Sequence, residues 1–297
     1  MRVLVLGSAG MVGHTVSLYL KESGHDVDGF SRKANRLVNT IVGDAADTSK
    51  LEKVICSGRY DYVINCIGVL NAHAERDKAG AVFLNSYLPH FLASITMGTS
   101  ACVLHMSTDC VFSGVKGNYA VDDFPDGRSF YNRSKALGEI ADDKNITLRC
   151  SVVGPDINPE GIGLVNWFMK QKGDINGFTD VIWTGQTSLQ LAKTMEAVMN
   201  CHIHGIYNSV PKTTISKYEL LKLFNQYLRC GSNRIIAVDS PKSNKSLISS
   251  DYGFDYAIPD YEKMIKDMAD WMQSHNYLYP HYYETCEEAR LGKLMNG

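Results

Sequence analysis

The sequence predicts an α/β protein: a doubly wound parallel sheet with a second, smaller domain. Three observations carry this. An apolar run, Val3 to Leu6, opens directly into a glycine-rich turn and then a helical stretch. Strand-like and helix-like segments alternate up to about residue 150, the pattern of a parallel sheet covered on both faces. At 297 residues the chain has room for about two domains of ~150 residues each.

In order, Arg2–Leu6 reads as a buried strand, Met11–Glu22 as a helix, 26–30 as a second strand and Asn39–Val42 as a third. Residues 48–56 read as a helix and 61–67 as a fourth strand. Residues 79–95 form a long helix, whose apolar stripe is Val82, Phe83, Leu84, Leu88, Phe91 and Leu92. A fifth strand at 101–106, a helix at 131–142 and a sixth strand at 146–152 complete the alternation. Beyond 153, Gly154, Pro155, Pro159, Gly161 and Gly163 break the pattern. A helix at 187–199 and a strand at 206–210 return to the first sheet. The expected division is 1–153 with 186–212, and 154–185 with 213–297.

Composition narrows the function. Apolar residues are 44% and charged residues 21%, an ordinary globular balance. No apolar run approaches the ~18–20 residues that span a bilayer, and Met1 to Gly10 lacks the longer apolar core of a signal peptide. A net charge of −2 provides no basic excess for nucleic acid. The eight cysteines, Cys56, Cys66, Cys102, Cys110, Cys150, Cys201, Cys230 and Cys286, include no C-x-x-C pair. Reduced thiols, a cytoplasmic setting and no structural zinc are expected.

The first turn reads Gly7-Ser8-Ala9-Gly10-Met11-Val12-Gly13, between a strand and a helix. Gly7 takes the tight turn, Gly10 lets a pyrophosphate approach the backbone, and Gly13 lets helix and strand pack closely. The N–H groups at the helix start, around Met11 and Val12, then face phosphate. This is the Rossmann type of dinucleotide turn in its required context. Strand 2 ends in Ser31-Arg32-Lys33, without the carboxylate that holds an NAD ribose. A hydroxyl and two cations suit a 2′-phosphate, Arg32 better than Lys33, so the expected cofactor is NADP(H). Asp44-Ala45 could cap an adenine amino group. Cys66-Ile67-Gly68, after Asn65, would face ribose and pyrophosphate.

Tyr131 and Lys135 form Y-x-x-x-K and share one helix face. Strand 5 runs into Ser107-Thr108-Asp109, beside the crevice where dinucleotides bind. Together they make a carbonyl-reduction set. Thr108 holds the carbonyl oxygen, Tyr131 delivers the proton, and Lys135 lowers the tyrosine pKa and can hold a ribose. A cation ~4 Å away at an effective dielectric of ~20 contributes about 4 kcal/mol, enough to move a pKa by roughly three.

In this order the motifs Gly7-x-x-Gly10-x-x-Gly13, Ser107-Thr108-Asp109-Cys110-Val111-Phe112-Ser113-Gly114 and Tyr131-x-x-x-Lys135-x-x-Gly138-Glu139 resemble the extended short-chain dehydrogenase/reductases. Within them the chain looks most like dTDP-4-dehydrorhamnose reductases and related nucleotide-sugar 4-ketoreductases. The match covers about residues 1–155, with Trp183-Thr184-Gly185-Gln186-Thr187 a fainter echo. The resemblance implies NADPH-dependent reduction of a nucleotide-linked 6-deoxy-4-ketohexose for a cell-surface polysaccharide. It places Ser107, Asp109, Cys110 and Trp183 around that substrate and allows a homodimer. Arg149, Lys170, Lys172, Arg229 and Arg234 are further candidates for the nucleotide or its pyrophosphate.

Cys110 stands where the family carries Tyr. A 4,6-dehydratase would place Asp-Glu after the strand-5 Thr, whereas here Asp109 is followed by Cys110. GDP-fucose synthases carry a Cys two residues beyond the strand-5 hydroxyl, which makes a bifunctional epimerase/reductase an alternative. Their partner His, downstream of Y-x-x-x-K, has no counterpart between His105 and His202. Reduction without epimerisation is therefore expected. A non-catalytic NADP-binding regulatory subunit, like the β-subunit of methionine adenosyltransferase, is the third reading. Retention of Thr108, Tyr131 and Lys135 argues against it.

Overall fold

The computed structural model describes residues 1–283; Cys286 and the end of the expected second domain lie outside them. The chain runs β1 (Arg2–Leu6), α1 (Met11–Glu22), β2 (Asp26–Ser31), β3 (Asn39–Val42), α2 (Thr48–Gly58) and β4 (Tyr62–Asn65). Helices α3 (Asn71–Arg76), α4 (Lys78–Ala81) and α5 (Leu88–Thr96) lead to β5 (Cys102–Ser107), α6 (Phe130–Leu137) and β6 (Ile146–Arg149). After β7 (Ser151–Val153) come α7 (Leu164–Lys170), β8 (Asp174–Phe178), β9 (Val181–Trp183), β10 (Gly185–Thr187), α8 (Ser188–Asn200) and β11 (Gly205–Asn208).

Seven strands form one parallel sheet in the order β11-β6-β5-β4-β1-β2-β3. Its faces alternate with period two, as a strand requires. Val3 and Val5 pack with Val16 and Leu20 of α1 and Leu191 and Met195 of α8. Leu4 and Leu6 pack on the other face with Leu51 and Ile55 of α2 and Leu88 and Leu92 of α5. Strand order reverses between β1 and β4. The C-terminal edges of those two strands therefore open a crevice, the usual ligand position in such sheets. The turns after β1, β4 and β5 all end there.

A second core collects Val165, Phe168, Trp183, Leu220, Phe224, Met264, Met268, Tyr279 and Tyr282. It is built on β12 (Ile215–Ser216), α9 (Lys217–Arg229), β13 (Arg234–Val238), β14 (Ser243–Asn244) and α10 (Tyr261–Ser274). β8 pairs with β13, and β9 lies between β12 and β14. The aromatic segment ending at Tyr283 packs within the chain: Tyr279 meets His14 Nε2 at 2.8 Å through its hydroxyl.

Three elements differ from the sequence expectation. The helix at 79–95 is interrupted by a π-helical turn, Val82–Tyr87. Pro89 has no N–H to give the Asn85 carbonyl four residues back, so the turn widens there. The helix at 131–142 stops at Leu137, and the next residue, Gly138, packs against that same carbonyl; a Cβ on Gly138 would fall 1.8 Å from Asn85 O. The strand at 146–152 divides at Cys150, where β7 leaves the large sheet to pair with β10.

Candidate active site

The turn after β1 is shaped by its glycines. Gly7 has φ +79°, a left-handed conformation. A Cβ on Gly13 would lie 2.1 Å from Gly7 O, so only hydrogen lets α1 sit this close to β1. Gly10 is the N-cap of α1, with no capping side chain and no acidic residue in the first turn. A Cβ there would meet only Gly7 O, at 3.3 Å. The helix therefore presents the positive end of its dipole and unshielded N–H groups at the crevice, a built receptor for phosphate. Met11 is partly exposed there and Val12 is buried.

At the end of β2, Ser31 is buried, and its Oγ donates to Lys33 O at 2.6 Å. Arg32 and Lys33 are exposed beside it. Asn35 Nδ2 donates to Ser8 O at 3.2 Å, which ties this basic loop to the glycine turn. Arg36 is a further exposed cation of the same loop, which the motif reading passed over because it lies beyond the strand end. Asp44 is exposed and its Oδ1 accepts from Ala46 N at 2.9 Å, while Ala45 is buried. After β4, Cys66 and Ile67 back onto Gly7. Burial pushes the Cys66 thiol up to about 12. Gly68 is exposed and faces Asn85.

Thr108, Tyr131 and Lys135 are all buried; Tyr131 hydrogen-bonds Thr108, and Lys135 lies close to Cys66, which backs onto Gly7. Thr108 Oγ1 donates to Asp109 Oδ1 at 3.1 Å and accepts from Cys110 N at 3.1 Å. Tyr131 is presented by α6, capped at its start by Ser129, whose Oγ accepts from Asn132 N. Burial raises the phenol, Cys110 and Asp109 push it further, and a hydrogen bond with Thr108 pulls it down. It stays protonated through the neutral range, and Lys135, expected from the sequence to lower it, is not among the groups that act on it. Lys135 Nζ donates to Met106 O at 2.6 Å and lies 3.3 Å from His105 Nε2. Burial lowers its ammonium to about 8, against the raising influence of Glu139 and Cys66.

The opposite wall comes from the second core. Lys217 Nζ sits 4.7 Å above the Trp183 ring, and burial lowers it to about 8, against the attraction of Asp109 and Cys110. Lys245 Nζ reaches Cys110 Sγ at 3.5 Å. Asp109 is buried and its carboxyl raised, with Lys245 and Lys217 opposing. Burial pushes the Cys110 thiol up to about 11, so it is neutral. Sequence reasoning missed both lysines: they lie more than a hundred residues from Cys110 and in no motif.

Other candidates are engaged elsewhere. Ser107 Oγ donates to Glu139 at 2.6 Å. Trp183 is 4% exposed, and its Nε1 donates to Ser151 Oγ at 2.7 Å. Arg149 is held inside the fold by Glu139, at 2.8 and 2.7 Å, and by Val121 O at 2.7 Å. It is a buried structural pair and not a pyrophosphate ligand. Arg229 donates to Met169 O at 2.7 Å, closing the end of α7. Lys170 faces Glu160 at 3.7 Å. Lys172 and Arg234 lie at the surface of the second core, Lys172 just before β8 and Arg234 at the start of β13.

Known proteins resemble this chain in sequence and in fold. Over 145 residues the chain is 31% identical to dTDP-4-dehydrorhamnose reductase of Mycolicibacterium smegmatis, covering 47% of this chain and 41% of that protein. Over 144 residues it is 33% identical to a probable dTDP-4,6-dihydroxy-2-methyloxan-3-one 4-ketoreductase of Streptomyces antibioticus, covering 48% and 46%. The match thus spans less than half the length of these curated relatives. The solved structure of dTDP-4-dehydrorhamnose reductase from Bacillus anthracis str. Ames, in complex with NADP, has a TM-score of 0.77 at 19% identity, covering 90% of this chain and 98% of that one. UDP-glucose 4-epimerase of Thermotoga maritima gives 0.74 at 18%, covering 93% and 99%. Likeness at this identity establishes the shared fold. A family model described as the RmlD substrate binding domain matches residues 1–252, and the chain belongs to that family, of the extended short-chain dehydrogenase/reductase type.

Proposed function

We propose that the chain reduces the C4 keto group of a nucleotide-linked 6-deoxy-4-ketohexose, with NADPH as the reductant, in building a cell-surface polysaccharide. The observation that supports this reading most is that Thr108, Tyr131 and Lys135 are all buried, Tyr131 hydrogen-bonded to Thr108 and Lys135 close to Cys66, which backs onto the glycine turn. The names of the curated relatives support the substrate class, and one of them is a spore coat polysaccharide biosynthesis protein of Bacillus subtilis.

Gly7, Gly10 and Gly13 with the start of α1 would hold the dinucleotide pyrophosphate, and Arg32 and Lys33 a 2′-phosphate. Bound there, NADPH supplies the hydride. The chain's own residues handle the oxygen and the proton. Thr108 turns its hydroxyl from Asp109 to donate to the carbonyl oxygen. Tyr131, still protonated, gives its proton to that oxygen. Charged Lys135 makes the resulting phenolate less costly. Lys217, Lys245, Asp109 and Cys110 form a polar wall for the sugar.

The neutral Cys110 thiol is a poor base, which supports reduction without epimerisation. The test is reduction in heavy water with unlabelled NADPH: the product should carry no carbon-bound deuterium at C3 or C5. Deuterium at either carbon that disappears in Cys110→Ser would establish the bifunctional alternative.

A further inference from the structure

His105 is fully buried on β5, between Asn65 of β4 and Lys135 of α6. Asn65 can be oriented in one way. Its Oδ1 accepts from Ile67 N at 3.1 Å, so its Nδ2 is the donor that faces His105 Nδ1 at 3.2 Å. Nδ1 must then carry a lone pair. Burial, with Lys135 and His90 acting in the same direction, holds the imidazole well below its usual range, so the ring is neutral. A neutral ring that accepts at Nδ1 carries its proton on Nε2. That N–H faces Lys135 Nζ across 3.3 Å.

We infer that Asn65 and His105 are positioning residues for Lys135: Asn65 locks the His105 tautomer so that the imidazole presents a donor to the lysine nitrogen. An ammonium has only donors, so a ring N–H opposite it is repulsive. A neutral amine has a lone pair that accepts it. The pair therefore weakens the lysine's hold on its proton, while Met106 O fixes the direction of the amine. The other ionisable groups around it do not substitute for this. The Glu139 carboxylate is already shared by Arg149 and Ser107. The Cys66 thiol is neutral. His90 bonds Leu137 O at the surface, at 2.8 Å.

This inference rests on the proposed reduction only for its kinetic consequence; the tautomer is independent of any substrate. The experiment is ¹⁵N NMR of the full chain labelled at histidine, with the His105 signals identified by their loss in His105→Gln. The expected result is a neutral ring protonated at Nε2 throughout the neutral range. A ring protonated at Nδ1, or one that titrates near the ordinary value of about 6.5, overturns the inference. Asn65→Asp gives a second reading: its carboxylate accepts from Nδ1–H, so the signature should switch to the other nitrogen. In kinetics, His105→Gln can turn its amide oxygen to Lys135, and the alkaline limb of kcat should rise by about half a pH unit or more. An equal loss of kcat at every pH, with the limb unmoved, would mean that His105 only fills space. If no keto sugar is reduced at all, the reduction reading fails while the NMR result still decides this one.

Discussion

Gly13→Ala and Gly10→Ala separate packing from phosphate approach within one turn. A Cβ on Gly13 would stand 2.1 Å from Gly7 O and 2.7 Å from Gly7 C, both backbone atoms that cannot swing aside. Real Cβ contacts essentially never fall under 3.0 Å, so α1 must shift away from β1. Against fixed backbone, overpacking falls in the upper part of its range, about 2–3 kcal/mol, offset by about 1 kcal/mol for alanine's better helix propensity. A net loss near 1–2 kcal/mol corresponds to a fall in Tm of about 3–6 °C, and NADPH binding should weaken with it. On Gly10 the added carbon meets one atom at 3.3 Å, so the fold should tolerate it and Tm should stay near wild type. The methyl group would nevertheless stand between phosphate and the helix N–H groups. Loss of one charge-assisted hydrogen bond is worth about 1.5–3 kcal/mol, or roughly ten- to hundredfold in NADPH affinity. Differential scanning fluorimetry and calorimetric titration read both quantities. Wild-type NADPH affinity in Gly10→Ala, or wild-type Tm in Gly13→Ala, would refute the account of this turn.

Arg32→Ala with Lys33→Ala should weaken NADPH much more than NADH in a binding titration; equal affinity for the two in the wild type would remove the 2′-phosphate from this loop. Glu139→Gln strands the Arg149 guanidinium, whose side chain is 4% exposed, and should destabilise the chain by about 3–5 kcal/mol in urea unfolding; a loss under half that would mean the pair is solvated. Lys135, lowered to about 8, is charged below that pH and neutral above it. If its charge assists the proton transfer, kcat should fall as pH rises through about 8, and a rate that keeps rising there would contradict this.

The β-α alternation was legible because each strand and helix carries its own local signal: Val3 to Leu6 alternates between two faces, and Gly7, Gly10 and Gly13 sit between a strand and a helix. Helix ends were less legible because they depend on distant partners. Gly138, just past the end of α6, packs where a Cβ would fall 1.8 Å from Asn85 O of another helical segment, a neighbour that no local signal announces. The same holds at the site. Thr108, Tyr131 and Lys135 were readable from their spacing, whereas Lys217 and Lys245 reach Asp109 and Cys110 from another core. Arg149 looked like a phosphate ligand until its acceptors, Glu139 and Val121 O, were placed.

The central claim is tested most directly by following NADPH absorbance with dTDP-, UDP- and GDP-linked 6-deoxy-4-ketohexoses, for the wild type and Tyr131→Phe. The account predicts steady NADPH consumption with at least one of them. It predicts a fall in kcat of about 10²–10⁴-fold in Tyr131→Phe, with NADPH still bound. Binding of NADPH without consumption on any keto sugar would contradict the account and favour a regulatory subunit, and undiminished turnover in Tyr131→Phe would remove this tyrosine from the chemistry.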